Sequence, residues 1–429
     1  MKLRVLIIFF FVYFILGVTS DVNAYIFGLK SSDNTIENIQ QIEKKYKIRL
    51  PVVGFIFDPR GDNVLKTINS LGTGLGIDRV YHITISPNMF SAQEVADGKF
   101  DKEYISVFKA IKDNDLKVIF RTMHEMNGGR YARASNPQTF QQAWIHVWGL
   151  SRKIGLDQYN ILFDFSINHR DMPTLQNPSQ SAKLIQCSPG QKEKFKCHTF
   201  EDYYPGNDYV DIIGVSFYNR GKATSNRLRL SPSKTISDTS RNTLTRMKQY
   251  LKPIFIDEVG TTAVFYTGAY SNKKSKEIYE KDFYRKNLRL TQLKDFFLSE
   301  PLIYGAVYFN TDYTDGLHFP TVGEADWSII NLFRDKLYLG FRDLYNGSNN
   351  NFYKSDSIKL FQTFVYSLSG KTILLPSHYK KDFLATIKSF SSGSKNIGKI
   401  KSKVINIDIE TIQDKKMKLI ISKLQFLYK

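Results

Sequence analysis

The sequence predicts an α/β protein: a (β/α)8, or TIM, barrel carrying a small Lys-rich C-terminal appendage. Three observations lead there. Eight short apolar runs recur along the chain, amphipathic stretches lie between most of them, and several runs end abruptly in polar clusters. Strands alternating with helices imply parallel βαβ units, and eight such units over about 320 residues fit a closed barrel.

The runs are "AYIFGL" (24–29), "PVVGFIFD" (51–58), "VYHITIS" (80–86), "LKVIFRT" (116–122), "NILFDFS" (160–166), "YVDIIGVSFY" (209–218), "PIFIDEV" (253–259) and "IYGAVYF" (303–309). Between them, "KEYISVFKAIKDN" and "TFQQAWIHVWGLSRKIG" space their apolar residues as helices do. From Asn168 to Asn207 no convincing helix is visible. After the eighth run, "WSIINLFRDKLYLGFRDLY" (327–345) reads as the closing helix. Past it the text changes to "NGSNNN" and then to a Lys-rich region of mixed signals. The expected organisation is therefore a leader at 1–24, a barrel at 25–345 and an appendage at 346–429.

The leader reading rests on "MKLRVLIIFFFVYFILGVTSDVNA". Lys2 and Arg4 precede an apolar run from Val5 to Val18, and Val22-Asn23-Ala24 supplies small residues for cleavage. The run is short for a membrane span, so a secretory signal peptide is expected, with an uncleaved anchor as the alternative. The mature protein is then secreted or periplasmic, without stable membrane insertion. Cys187 and Cys197, the only cysteines, stand in "CSPGQKEKFKC". In an exported chain this pair predicts a disulfide closing a surface loop; two free thiols are the alternative.

Sixty Lys and Arg against 41 acids give a net charge of +19. Such a balance suggests nucleic acid or acidic polymers as partners. From Asn351 to Lys429, however, 15 Lys face 5 acids, so about half of the excess sits in the appendage. The excess is Lys rather than Arg, among many Ile, Asn, Tyr and Phe, as AT-rich codons alone would produce. No nucleic-acid partner, metal or cofactor is expected, and a monomer suffices.

The polar clusters carry the chemistry. In such barrels the C-terminal ends of the strands bear the active site. The fourth run ends at "RTMHEMNGG", the sixth at "GVSFYNR" and the seventh at "FIDEVGTT". Glu125 and Glu258 thus stand on strands four and seven, facing each other across the mouth. Two carboxylates flanking one cavity perform glycoside hydrolysis, one donating a proton and one attacking, when about 5–5.5 Å separates a retaining pair. A lone strand-end Glu would read as a structural acid. Two, facing each other and each followed by Gly within a few residues, read as a site.

Here the motifs resemble glycoside hydrolase family 26, the retaining β-mannanase family. "MHEMNGGRY" is similar to its His-Glu-Met-Asn-Gly segment, and "ADGKFDKEYISVFKAIKDNDLKVIFR" to its Gly-Lys-Tyr-Asp helix and fourth strand. "YYPGNDYVDIIGVSFYN", "KPIFIDEVGT" and "IYGAVYFN" with "ADWSI" resemble its later segments. The resemblance covers roughly residues 25–335 and leaves out the appendage.

It implies Glu125 as acid/base and Glu258 as the nucleophile that forms the glycosyl-enzyme. His124 would hydrogen-bond beside the scissile bond, and Tyr218 would donate to Glu258. Arg121 would pair with a carboxylate or serve the structure. Asn127 reads as a turn residue rather than a substrate ligand. Trp327, with Tyr308 or Phe309, would floor a sugar ring or pack in the core. One departure matters. Where the family has Trp-Tyr-x-Trp, this chain has Arg130-Tyr131-Ala132-Arg133. Arg130 lacks the flat apolar surface of Trp, though its guanidinium can stack or pair with a carboxylate, and Tyr131 remains for substrate contact. Plain β-mannan, another β-glycan or xylan, and a uronate-bearing exopolysaccharide all stay open as the polysaccharide or oligosaccharide partner. The expected function is endo-acting retaining hydrolysis. Its alternatives are a catalytically inactive polysaccharide-binding barrel and a surface adhesin using the barrel as scaffold.

Overall fold

In a computed structural model, the structure describes residues 25–61, 63–86, 90–128, 136–158, 160–171, 198–219, 231–236, 242–250, 252–261, 265–266, 276–300, 303–311, 324–325, 327–331 and 336–347. The leader at 1–24, both cysteines, Arg130, Tyr131 and all but the first two residues of the appendage lie outside them.

Eight parallel strands close a barrel in sequence order. They are β1 (Ile26–Lys30), β2 (Val52–Phe57), β3 (Val80–Ile85), β4 (Lys117–Thr122), β5 (Ile161–Asn168), β6 (Ile212–Asn219), β7 (Ile254–Thr261) and β8 (Ile303–Phe309). β8 pairs back onto β1 and completes the ring. Each of the eight apolar runs supplies one strand.

The helices cover the outside. In chain order they are α1 (Ile36–Tyr46), α2 (Val64–Leu75), α3 (Ala92–Ala96), α4 (Asp101–Asp113), α5 (Pro137–Lys153), α6 (Pro232–Ile236), α7 (Thr243–Lys248), α8 (Lys276–Ser299) and α9 (Leu339–Asn346). Local chemistry sets their starts. Thr35 caps α1 by accepting from the Asn38 amide. Ser91 and Glu94 close a reciprocal capping box on α3. Asn136 with Pro137 opens α5; a side-chain acceptor and a proline both suit a first turn whose amides lack partners. α5 then buries Phe140, Ala143, Trp144 and Val147, the face its spacing predicts. Between β5 and β6 the described residues hold only 3-10 turns, Phe200–Tyr203 and Asn207–Tyr209. No helix among the described residues is long and apolar enough to cross a membrane.

One expectation needs correction. The stretch 327–345 is not one closing helix. Ile330–Asn331 and Lys336–Leu337 form a short antiparallel ladder, and among the described residues of the stretch only α9 is helical. The apolar spacing is compatible with a helix, but the Ile329 carbonyl, which a helix would offer to an amide four residues on, accepts from the Tyr338 amide instead. The Trp327 amide donates to the Thr311 carbonyl, and the Ile329 amide to the Asn310 side chain. Both acceptors lie just past β8, so this segment is held extended against the strand end.

Inside the barrel, alternation along the strands sorts the residues into tiers. Ile26, Val52, Val80, Ile119, Leu162, Ile212, Phe255 and Tyr304, with Val307, form an apolar cluster of their own near the strand starts. Counting upward by twos from that plug reaches Lys30, His82, Thr84, Arg121, Asp164, Ser166, Gly214, Ser216 and Tyr218. The interior therefore changes from dry to polar towards the C-terminal ends. β7 breaks the alternation once. Val215 pairs with Ile256 but Ser216 pairs with Glu258, so Asp257 is an extra residue in the register. A bulge re-aims the side chains after it. Here it lets consecutive residues, Asp257 and Glu258, both face inward.

Candidate active site

Glu258 is the centre of the polar tier. Arg121 Nη2 donates to one of its carboxylate oxygens and the Tyr218 hydroxyl to the other. Arg121 is fully buried, with Nε donating to Thr84 Oγ1 at 2.7 Å and Nη1 to Ser166 Oγ at 3.4 Å. The guanidinium is thus fixed by β3 and β5 before it meets β7. Burial, reinforced by the charges of Glu258 and Glu125, pushes the Tyr218 hydroxyl well above its usual range. It therefore remains a protonated donor. Both carboxylate oxygens of Glu258 are thus fixed in direction, one by a buried cation and one by a neutral donor.

Glu125 lies just beyond β4, on backbone that bends sharply. Met123 and Glu125 both have left-handed backbone, with φ of 47° and 54°. Such angles are uncommon for residues other than Gly, and they gather at functional turns. The turn is held by neighbours: the Glu125 amide donates to the Ser166 carbonyl at 2.9 Å, and the Gly128 amide to the Glu125 carbonyl at 2.8 Å. Asn127 clamps it to β5, donating to the Asn168 carbonyl at 2.8 Å and accepting from the Asn168 amide at 2.8 Å. As the sequence suggests, Asn127 serves the turn. His124 Nδ1 lies 3.2 Å from Ser86 Oγ, which fixes the ring at the end of β3.

Below Glu258 lies a group that strand-end reasoning missed. His82, Asp164 and Asp257 are buried, with ligand atoms within 4.8 Å of one another. Burial pushes the Asp164 carboxyl well up, and the adjacent Asp257 charge and hydrogen bond add to it. Burial also works to raise Asp257, but hydrogen bonds from His82 and Asp164 hold it below its usual range. Of the two, Asp164 is the one pushed towards its protonated form. Burial lowers His82, against its hydrogen bond to Asp257, so the imidazole is neutral. Gly214 makes room for the cluster: a Cβ there would stand 1.9 Å from Asp257 Oδ2 and 2.4 Å from Asp164 Oδ1.

An aromatic wall completes the mouth. Trp327 packs on Tyr218 with ring centroids 5.1 Å apart, and Phe309 meets Tyr218 edge-on at 5.6 Å. Gly260 leaves space for the indole, since a Cβ would come within 2.8 Å of Trp327 Cε3. Tyr308 is not on this wall; its hydroxyl donates to the Thr261 carbonyl and its ring packs on Phe341. Lys30, the last residue of β1, is a second cation here. Burial lowers its pKa to about 8, while the Glu258 charge acts to raise it. Strand-end inspection passed over Lys30, Thr84 and Ser166; alternation from Ile26, Val80 and Leu162 would have found each.

Substitutions at three positions test this geometry. Gly214→Ala should destabilise the chain by about 1–3 kcal/mol or more, read from urea unfolding, because a methyl group must displace the buried pair. A neutral effect would refute the close approach. Glu125→Gly should unfold about 1 kcal/mol later than Glu125→Ala, since only Gly is at ease with a positive φ. An Ala variant equal in stability would contradict the left-handed turn. Asp164, raised in the folded chain, contributes stability at low pH that is lost as pH climbs from about 4 through its folded pKa. Asp164→Asn removes that loss. Thermal unfolding of the variant should therefore decline less steeply with rising pH than that of the parent, and parallel profiles would refute the raised Asp164 carboxyl.

Residues 88–292 match the family model described as Glycosyl hydrolase family 26. No match was found among curated proteins. Among solved structures, the family 26 domain of an endo-β-mannanase/endo-β-glucanase from Prevotella bryantii aligns at 13% identity, over 67% of this chain and 84% of that one, with a TM-score of 0.40. A double mutant of the Cellulomonas fimi endo-β-1,4-mannanase aligns at 12% identity over 77% and 72%, with a TM-score of 0.47. A β-mannanase from a symbiotic protist of the termite Reticulitermes speratus aligns at 13% identity over 67% and 80%, with a TM-score of 0.41. The matched segment, a little under half of the chain, contains Arg121, His124, Glu125, Tyr218 and Glu258.

Proposed function

We propose that this chain is a retaining, endo-acting glycoside hydrolase that cleaves a β-linked polysaccharide by double displacement. The observation that supports it best is the Glu258 carboxylate, held on one oxygen by Arg121 and on the other by Tyr218. In this reading Glu125, protonated, gives its proton to the leaving glycosidic oxygen while Glu258 attacks the anomeric carbon. The glycosidic bond breaks as the ester to Glu258 forms. Glu125, now ionised, takes a proton from water; that water attacks the same carbon and releases Glu258. His124 orients groups beside the scissile bond, and Trp327 with Phe309 offers apolar surface to a sugar ring. Arg130 and Tyr131, whose positions lie outside the described residues, are assigned to substrate contact on the motif alone. The enzyme is proposed to act outside the cytoplasm, as a monomer, on β-mannan or a related β-glycan.

Replacing each carboxylate separates the roles. Glu258→Ala should abolish turnover of every substrate. Glu125→Ala should slow polysaccharide cleavage by about 10²–10⁴-fold. An aryl β-glycoside with an acidic phenol needs little protonation, so it should still form the intermediate. Azide should then rescue Glu125→Ala and yield the β-glycosyl azide, whereas Glu258→Ala with azide should yield the α-azide. If both variants keep parental activity, the carboxylates are structural and the enzyme reading fails.

A further inference from the structure

Lys30 is a buried ammonium that the proposed reaction does not use. It ends β1, directly opposite Phe309 in the register with β8. Its Nζ stands 5.0 Å from the Phe309 ring centroid. Phe309 in turn meets Tyr218, whose hydroxyl donates to Glu258. The ammonium therefore belongs to the same mouth as the nucleophile, and only 7% of Lys30 is exposed.

Its hydrogen bonding is incomplete. Among the described residues the one acceptor of Lys30 Nζ is the Ser31 carbonyl, at 2.8 Å. Two carboxylates act on it through charge, Glu258 and Asp33. Each is bonded elsewhere, Glu258 by Arg121 and Tyr218, and Asp33 by Ser31 and Thr35. An ammonium has three donors, and a buried charge is costly unless it is paired and hydrogen-bonded. A sugar hydroxyl would accept one bond but leave the charge uncancelled. A carboxylate on the sugar would do both, while Phe309 lies against the apolar part of the ring. Lys30 also falls outside the segment 88–292 that matches the family model, so the match does not supply it.

We propose that Lys30 is a specificity-determining residue that binds the carboxylate of a uronic acid unit, making the preferred substrate a uronate-bearing β-glycan. This rests on the glycosidase reading above and narrows its substrate.

The test uses backbone-matched pairs that differ only at the sixth carbon: β-1,4-mannan against β-1,4-mannuronan oligosaccharides, and β-1,4-glucan against β-1,4-glucuronan oligosaccharides. The full chain should show a kcat/KM at least about 10-fold higher on the uronate member of one pair, as a charge-assisted hydrogen bond provides. In Lys30→Met that ratio should fall by about 10–100-fold, and Lys30→Arg, which keeps the cation, should retain part of it. Circular dichroism of each variant controls for folding. Cleavage of a neutral member without uronate preference would overturn the role of Lys30 and leave the glycosidase standing. A preference that survives in Lys30→Met would overturn the assignment to this residue. Cleavage of no member, together with a silent azide assay, would remove the glycosidase reading and the proposal with it.

Discussion

The interior of this barrel is organised around one buried negative charge, the carboxylate of Glu258. Only 7% of the residue is exposed, so water cannot stabilise the ion. Arg121 must do so from across the barrel. Removing one partner of a buried ion pair typically costs about 3–5 kcal/mol, because the other charge is stranded. That cost explains why so much of the tier serves the guanidinium. Thr84 and Ser166 fix its other nitrogens, and Tyr218 takes the remaining carboxylate oxygen. Four strands converge on one charge.

The convergence depends on a backbone irregularity. With regular alternation, facing Asp257 inward would turn Glu258 out to the helices. The extra residue at the β6–β7 register removes that choice. Both acids then enter the same small volume, one above the other, and a second consequence follows. A further anion beside Asp257 would be unfavourable, so Asp164 keeps its proton and becomes a donor. Gly214, lacking a side chain, is the only residue type that leaves space for the pair. A single bulge thus sets the placement of the nucleophile, a protonation state and a glycine.

Most of the architecture was legible in the sequence because buried parallel strands are short, apolar and separated by helical spacing. All eight runs are strands. The proposed reactive residues were legible too, since Arg121, Glu125, Tyr218 and Glu258 stand where apolar runs end. What escaped lies inside the runs. Asp164 in "NILFDFS" and His82 in "VYHITIS" look like interruptions of hydrophobic text, and only closure of the barrel, which turns the alternate strands β3, β5 and β7 towards one interior layer, brings them together with Asp257. The bulge leaves no composition signal at all. The failed closing helix has a related cause. The Tyr338 amide takes the Ile329 carbonyl that a helix beginning at Trp327 would need, and no local pattern reports that competition.

The two glutamates are held by opposite means, and the difference suits opposite tasks. Glu258 lies within a strand, and both its carboxylate oxygens are fixed by directional bonds, from Arg121 and from Tyr218. Glu125 lies past the end of its strand, on left-handed backbone stabilised through Ser166 and Gly128 main-chain bonds. Arg121 directs Nε, Nη1 and Nη2 to Thr84, Ser166 and Glu258. A nucleophile benefits from a permanent cation that keeps it ionised. A general acid/base must hold a proton in one step and accept one in the next, and a permanent ion pair would bias it against the first. Placing one carboxylate on the rigid β7 ladder and the other on a turn thus separates the two requirements, even though both charges reach the same tyrosine.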